Sequence, residues 1–299
     1  MNRESFSLDA FSLGDCAALA CLLECTAAKP GNIHRAADFE DASYLDFLLS
    51  SHALGRVFDR AASLTCGELI LAGVHATRQF VEHNTNLGMI LLLAPLAKVP
   101  PGTDLNAGLP AVLDALTADD CRQVYEAIRL AHPGALGDAA EADVNQAPPD
   151  DLVAAMRLAA ERDLIARQYA NGFHELFTEV VPSLRAGLDR GWSVQTAIIQ
   201  AYVQLLASTP DTLIARKCGL AVAQEAAALA GIVLRSGEPL DDSYEGALVE
   251  LDFWLRSDGH RRNPGTSADM IAAALFVLLR EGWLRPPFRF YGNKGVRTQ

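Results

Sequence analysis

No stretch of this chain convincingly alternates apolar and polar residues with a period of two, and β-branched residues rarely cluster. Alanine and leucine dominate, and apolar positions recur at spacings of three and four, the period of a helix. That pattern confines the chain to an all-α fold. It predicts a single large helical bundle of about ten to twelve helices. The candidates span residues 9–28, 43–62, 66–83, 86–98, 109–116, 118–131, 151–170, 173–190, 193–208, 211–231, 242–257 and 267–281. Several carry start signals: Thr117 before Asp119 and Asp120, Ser193 after Gly191, and Pro210 beside Asp211.

Half of the 299 residues are hydrophobic, which is ample for a large core. The greasiest run, 87–99, contains Pro95 and is too short to span a bilayer. The first nine residues lack the basic and apolar regions of a signal peptide. These features lead us to expect a cytoplasmic protein that does not bind membranes. The net charge of −12 argues against a nucleic-acid partner, because phosphate backbones need a basic face. The six cysteines include no C-x-x-C pair, and three share one apolar helix, so they read as reduced, buried hydrophobes.

The clearest loops are 99–108 and 132–150. The second has the length of a linker, but the helices on both sides are too apolar to be separate surfaces. We therefore expect one domain over 1–299, with a basic C-terminal extension at about 285–299. A bundle this apolar leaves room for a homodimer face, though no helix is singled out.

Three polar helix ends stand out against this background. Pro30-Gly31-Asn32 closes the first apolar helix, Asn84-Thr85-Asn86-Leu87-Gly88 opens another, and Asn263 to Asp269 opens a late one. Helix N-termini present unpaired N–H groups and partial positive charge, so a pocket built from such ends suits phosphates.

Carboxylates mark the same regions. Helix 9–28 is apolar in every direction yet carries Glu24, followed by Lys29. A buried carboxylate needs a cation or donors, so Glu24 is either half of an internal ion pair or a site residue. On helix 151–170, Asp163 is the only charge on a face of Leu152, Met156, Ala159, Ala166 and Ala170. Arg162 and Arg167 flank it. We favour a site carboxylate over a plain salt bridge to Arg167. In the 132–150 loop, small residues precede Asp138 and Asp143, which have the right chemistry for a magnesium ion carrying a polyphosphate. His132 stands beside Gly134 as a candidate proton donor. Asp211 and Asp269 each read as ordinary acids near a helix start.

No zinc-type histidine pair, G-x-S-x-G, P-loop lysine motif or dinucleotide fingerprint is present.

These residues, in order, resemble the triphosphoribosyl-dephospho-CoA synthase family. The matching stretches are Glu24 to Asn32, Asn84 to Gly88, His132 to Gly137 with Asp138 and Asp143, Arg162 to Ala166, Asp211-Thr212 with Arg216, and Pro264 to Met270. The resemblance implies an all-helical transferase in cofactor or prosthetic-group biosynthesis. In that family the 2′-hydroxyl of dephospho-CoA attacks C1′ of ATP and adenine leaves, with magnesium accompanying the triphosphate. Two features depart from the family. Its well-known members carry Gly-Gly before the asparagine–threonine pair and His-Lys after it. Here those positions read Glu82-His83 and Asn86-Leu87. The chain is closer to a divergent branch, similar to sequences from archaea and from bacteria that use pterin one-carbon carriers.

On this reading Asp163 stabilises the ribosyl cation or accepts the acceptor's proton. His132 or Glu24 protonates adenine. Asp138 and Asp143 hold magnesium. Lys29, Arg162 and Arg216 meet the phosphates, aided by N–H groups near Thr85, Thr266 and Ser267. Asn32, Asn84 and Asn86 orient the ribose or base. The alternatives are a nucleotide or N-glycoside hydrolase, and a non-catalytic nucleotide-binding protein of a one-carbon cofactor pathway.

Overall fold

The computed structural model describes residues 11–131 and 148–292. The described residues are predominantly helical, with fourteen α-helices among them. The first six are α1 (Leu13–Thr26), α2 (Tyr44–Phe58), α3 (Cys66–Arg78), α4 (Leu87–Lys98), α5 (Leu105–Asp114) and α6 (Ala118–Ala131). After the undescribed segment come α7 (Leu152–Ala159), α8 (Leu164–Asn171), α9 (Val181–Asp189), α10 (Val194–Ser208), α11 (Thr212–Cys218), α12 (Leu220–Arg235), α13 (Asp242–Arg256) and α14 (Gly265–Arg280). The only β-strand among the described residues is the short segment Ser257–His260.

The count exceeds the expected range because two expected helices are broken. Helix 151–170 stops at Ala159, and the chain turns through Arg162 before α8 begins. The break sits where Asp163 folds back, its Oδ1 accepting the N–H groups of Ile165 and Ala166. An aspartate satisfies the free N–H groups of a first turn better than it serves mid-helix. Helix 211–231 breaks at Gly219, whose φ of 93° a side-chain-bearing residue adopts only with strain. Pro210 lies just outside α11, and Asp211 is its cap. The expected helix 173–190 opens instead with a π turn at Leu176–Val180.

Helices α14, α4 and α1 form the middle of the molecule. Nearly every residue of α14 after its first is buried, and α4 is buried from Leu87 to Ala97 except at Gly88. Helix α14 packs against α1, α4, α9, α10, α8 and α11. Its N-terminus therefore sits where the starts of α4, α8 and α11 and the end of α1 come together. Segment 284–291 runs back over the start of α10, where the Val194 and Gln195 amides donate to the Arg289 and Phe290 carbonyls. Among the described residues, no helix is long and apolar enough to cross a membrane.

Candidate active site

The converging helix ends enclose a cavity of about 530 Å³. Its wall takes Glu24 from α1, Asn32 from the following turn and Asn84 to Met89 from the approach to α4. Arg162 and Asp163 come from the α7–α8 turn, Arg216 and Lys217 from α11, and Asn263, Thr266 and Asp269 from the start of α14. Most of the expected site residues thus meet in one place, although the sequence separates them by up to about 240 positions.

A clasp of side chains holds three of the helix starts together. The Leu164 amide donates to Thr212 Oγ1 at 3.3 Å, and the Thr212 hydroxyl donates to Thr266 Oγ1 at 3.1 Å. Asp211 is fully buried. Its Oδ1 accepts the Leu213 and Ile214 amides, and its Oδ2 accepts the amide and hydroxyl of Ser267, each at 2.8 Å. Burial pushes the Asp211 carboxyl up and these four donors pull it back. Ser267 consequently lies behind the wall with its N–H already used, which corrects its expected role as a phosphate contact.

Two ion pairs border the cavity. Lys29 is completely buried and is not part of the wall. Its Nζ donates to the Glu24 carboxylate at 2.8 Å, to the Glu24 carbonyl at 2.5 Å and to the Ala27 carbonyl at 3.4 Å. An ammonium engaged in this way cannot reach a phosphate, so Lys29 supports Glu24 rather than binding substrate. Burial raises the Glu24 carboxyl, and Lys29 offsets part of the rise. Asp163 pairs with Arg216 rather than with Arg167, whose Nε donates to the Ala160 carbonyl. About a fifth to a quarter of each side chain in the Asp163–Arg216 pair remains open.

At the start of α4, Asn84 Oδ1 caps the Leu87 amide and Thr85 shares a hydrogen bond with Ser50. Asn86 is 5% exposed and its Nδ2 has no partner. Asn32 is equally buried; its Nδ2 donates to Asn263, while its Oδ1 is unpartnered. Groups like these stay unsatisfied in a core only at a cost, and both line the cavity. The mouth is aromatic: Phe39 stacks on His260 with centroids 5.0 Å apart, and His260 Nε2 lies 3.3 Å from Asp41. His132, Asp138 and Asp143 lie outside the described residues.

Sequence reasoning missed Lys217 and, more importantly, Asp269. Asp269 lines the cavity with no hydrogen-bond or ion-pair partner among the described residues. Burial, then the charges of Glu24, Asp211 and Asp163, push its carboxyl well above the usual range, against a weaker downward pull from Arg216. Its signal was present in the matched stretch Pro264 to Met270, where it read as a routine first-turn acid.

The model of the ATP:dephospho-CoA triphosphoribosyl transferase family matches residues 10–287. The chain belongs to this family. It is an ATP-using transferase of cofactor or prosthetic-group biosynthesis. A crystal structure from Archaeoglobus fulgidus, provisionally described as a triphosphoribosyl-dephospho-CoA synthase, superposes with a TM-score of 0.62. It shares 28% identity with this chain and covers 79% of it and 100% of its own length. No curated protein matches the chain significantly.

Proposed function

We propose that the acceptor is dephospho-CoA or a related hydroxyl-bearing cofactor precursor, and that the cavity arranges its attack on C1′ of ATP. The observation that carries this reading is the composition of the wall. Arg162, Arg216 and Lys217 put three cations along the α7–α8 and α11 side. Glu24, Asp163 and Asp269 add three carboxylates to the same lining. A triphosphoribosyl donor needs both: cations for its phosphates, and negative charge beside a sugar carbon that becomes cationic as adenine leaves. The basic wall also supplies what the missing His-Lys after the asparagine–threonine pair would have provided.

Within that arrangement Asp163 stabilises the ribosyl cation and accepts the acceptor's hydroxyl proton, while Arg216 spans Asp163 and the phosphates. Asn86 Nδ2 and Asn32 Oδ1 offer an unused donor and an unused acceptor, complementary to the edge of a purine or to ribose hydroxyls. A magnesium ion would be held mainly by the triphosphate with one or two carboxylates, for which Asp138 and Asp143 are the proposed ligands. Magnesium would neutralise phosphate charge as the donor binds.

Mass spectrometry of the protein incubated with ATP, magnesium and dephospho-CoA, or with a pool of cofactor intermediates, tests the reading. The expected products are free adenine and an acceptor enlarged by a triphosphoribosyl unit. Free ribose triphosphate without an enlarged acceptor would identify a hydrolase. ATP left intact would reduce the protein to a nucleotide binder.

A further inference from the structure

Breaking the bond between C1′ and N9 sends its electron pair into adenine, a poor leaving group unless a ring nitrogen is protonated. The proposed function therefore needs an acid, and the cavity's carboxyls differ in their fitness for that task. A proton on Glu24 would leave the buried Lys29 ammonium without its counter-charge. Asp163 has one oxygen in the cap of α8 and the other on Arg216, so both of its oxygens are already engaged. Asp211 is filled by four donors and sits behind the wall.

Asp269 differs from all three. Among the described residues no hydrogen-bond donor or ion-pair partner engages its carboxyl, which lines the cavity from the second turn of α14. Gly88 presses against it from α4; a methyl group there would run into the Asp269 carboxyl and the Ile165 side chain. The absence of a side chain at Gly88 thus makes room for the Asp269 carboxyl against α4. The charged groups facing it are Glu24 from α1, Asp163 from α8, and Asp211 and Arg216 from α11. Three of these four are acids, a setting in which a carboxyl keeps its proton. The unpartnered Nδ2 of the buried Asn86, on the same wall, independently marks this corner as built for a ligand.

We propose that Asp269 is the catalytic acid that protonates the departing adenine. This rests on the transferase reading above. As C1′–N9 breaks, the Asp269 proton passes to an adenine ring nitrogen. As the acceptor oxygen bonds to C1′, its proton passes to Asp163. After adenine leaves, water returns a proton to Asp269 and takes one from Asp163. Asp163 and Asp269 thus divide the base and acid roles.

The decisive experiment pairs Asp269→Asn with two donors, ATP and its N7-methylated analogue, whose purine departs without needing a proton. With ATP, turnover should fall about 10²–10⁴-fold while KM for ATP changes little. With the methylated donor, the deficit should shrink to within a few-fold of wild type. The wild-type rate with ATP should decline at alkaline pH as the acid ionises, and this decline should be absent with the methylated donor. If Asp269→Asn does not fold, the wild-type pH comparison alone decides. An undiminished rate in the variant, an equal deficit with both donors, or the same alkaline decline with both donors would overturn the assignment. Failure of the wild-type protein to release adenine from either donor would instead overturn the transferase reading.

Discussion

The two ion pairs beside the cavity have the same composition, a carboxylate and a cation, but opposite settings. Glu24–Lys29 is sealed: the ammonium is 0% exposed and meets three oxygens of its own helix end. Asp163–Arg216 joins two helices and stays partly open to the cavity. A sealed pair binds its partners to each other, because removing either strands a charge in a medium that cannot solvate it. An open pair can exchange a contact with its neighbour for one with a ligand. The first shapes the wall and the second is open to the cavity.

The largest expected effect tests the sealed side. Lys29→Met should cost about 3–5 kcal/mol of folding stability in chemical denaturation, because Glu24 is left uncompensated. Adding Glu24→Gln should restore much of that loss; additive losses in the double variant would break the distinction. Asp163→Asn tests the open side. Asparagine also caps helices, so α8 should persist and stability should drop by about 1 kcal/mol or less. Turnover should fall about 10²-fold or more, measured as adenine release. A stability loss with turnover intact would move Asp163 to the structural side. Arg162→Ala and Lys217→Ala should each raise KM for ATP about tenfold with a smaller change in kcat, as expected when a charged contact to phosphate is lost.

The smallest effect concerns the field around the sealed pair. His34 is held down to about 4 by burial, then by the positive charges of Arg256 and Lys29. Its ordinary value is 6.5. Neutral His34 therefore adds stability that is complete above about pH 6.5 and is lost as pH falls from there through about 4. His34→Gln should flatten the acid-side slope of unfolding free energy in that window. An unchanged slope would mean that burial and the charges of Arg256 and Lys29 do not depress His34 in the folded protein.

Much of this arrangement was legible in the sequence because helix ends are written locally. Asn32, Asn84, Asn86 and Thr266 are residue types that punctuate helices, and their clustering into three polar ends anticipated a shared pocket. The all-apolar surroundings of Glu24 correctly indicated burial. What could not be read was direction. Lys29 follows Glu24 so closely that it serves equally well as a phosphate contact or as an internal counter-ion, and only its depth decides. Asp163 and Arg216 lie 53 positions apart, so Arg167, one turn away, was the natural partner to expect. The break before Asp163 escaped periodicity because both halves keep the same apolar stripe across the turn. Asp269 looked ordinary because helix starts favour acids; its isolation is a property of the surroundings, which no local pattern records.

The Asp211 clasp has a consequence for how this protein can diversify. Because Asp211, Thr212, Thr266 and Ser267 are mutually bonded across two helix starts, changing one of them leaves the others with unmet needs. The rim residues Phe39, Asp41 and His260 are joined by a ring stack and an ion pair rather than by buried hydrogen bonds. Descendants of this scaffold are therefore free to retune which molecule enters while inheriting the chemistry beneath it as a unit.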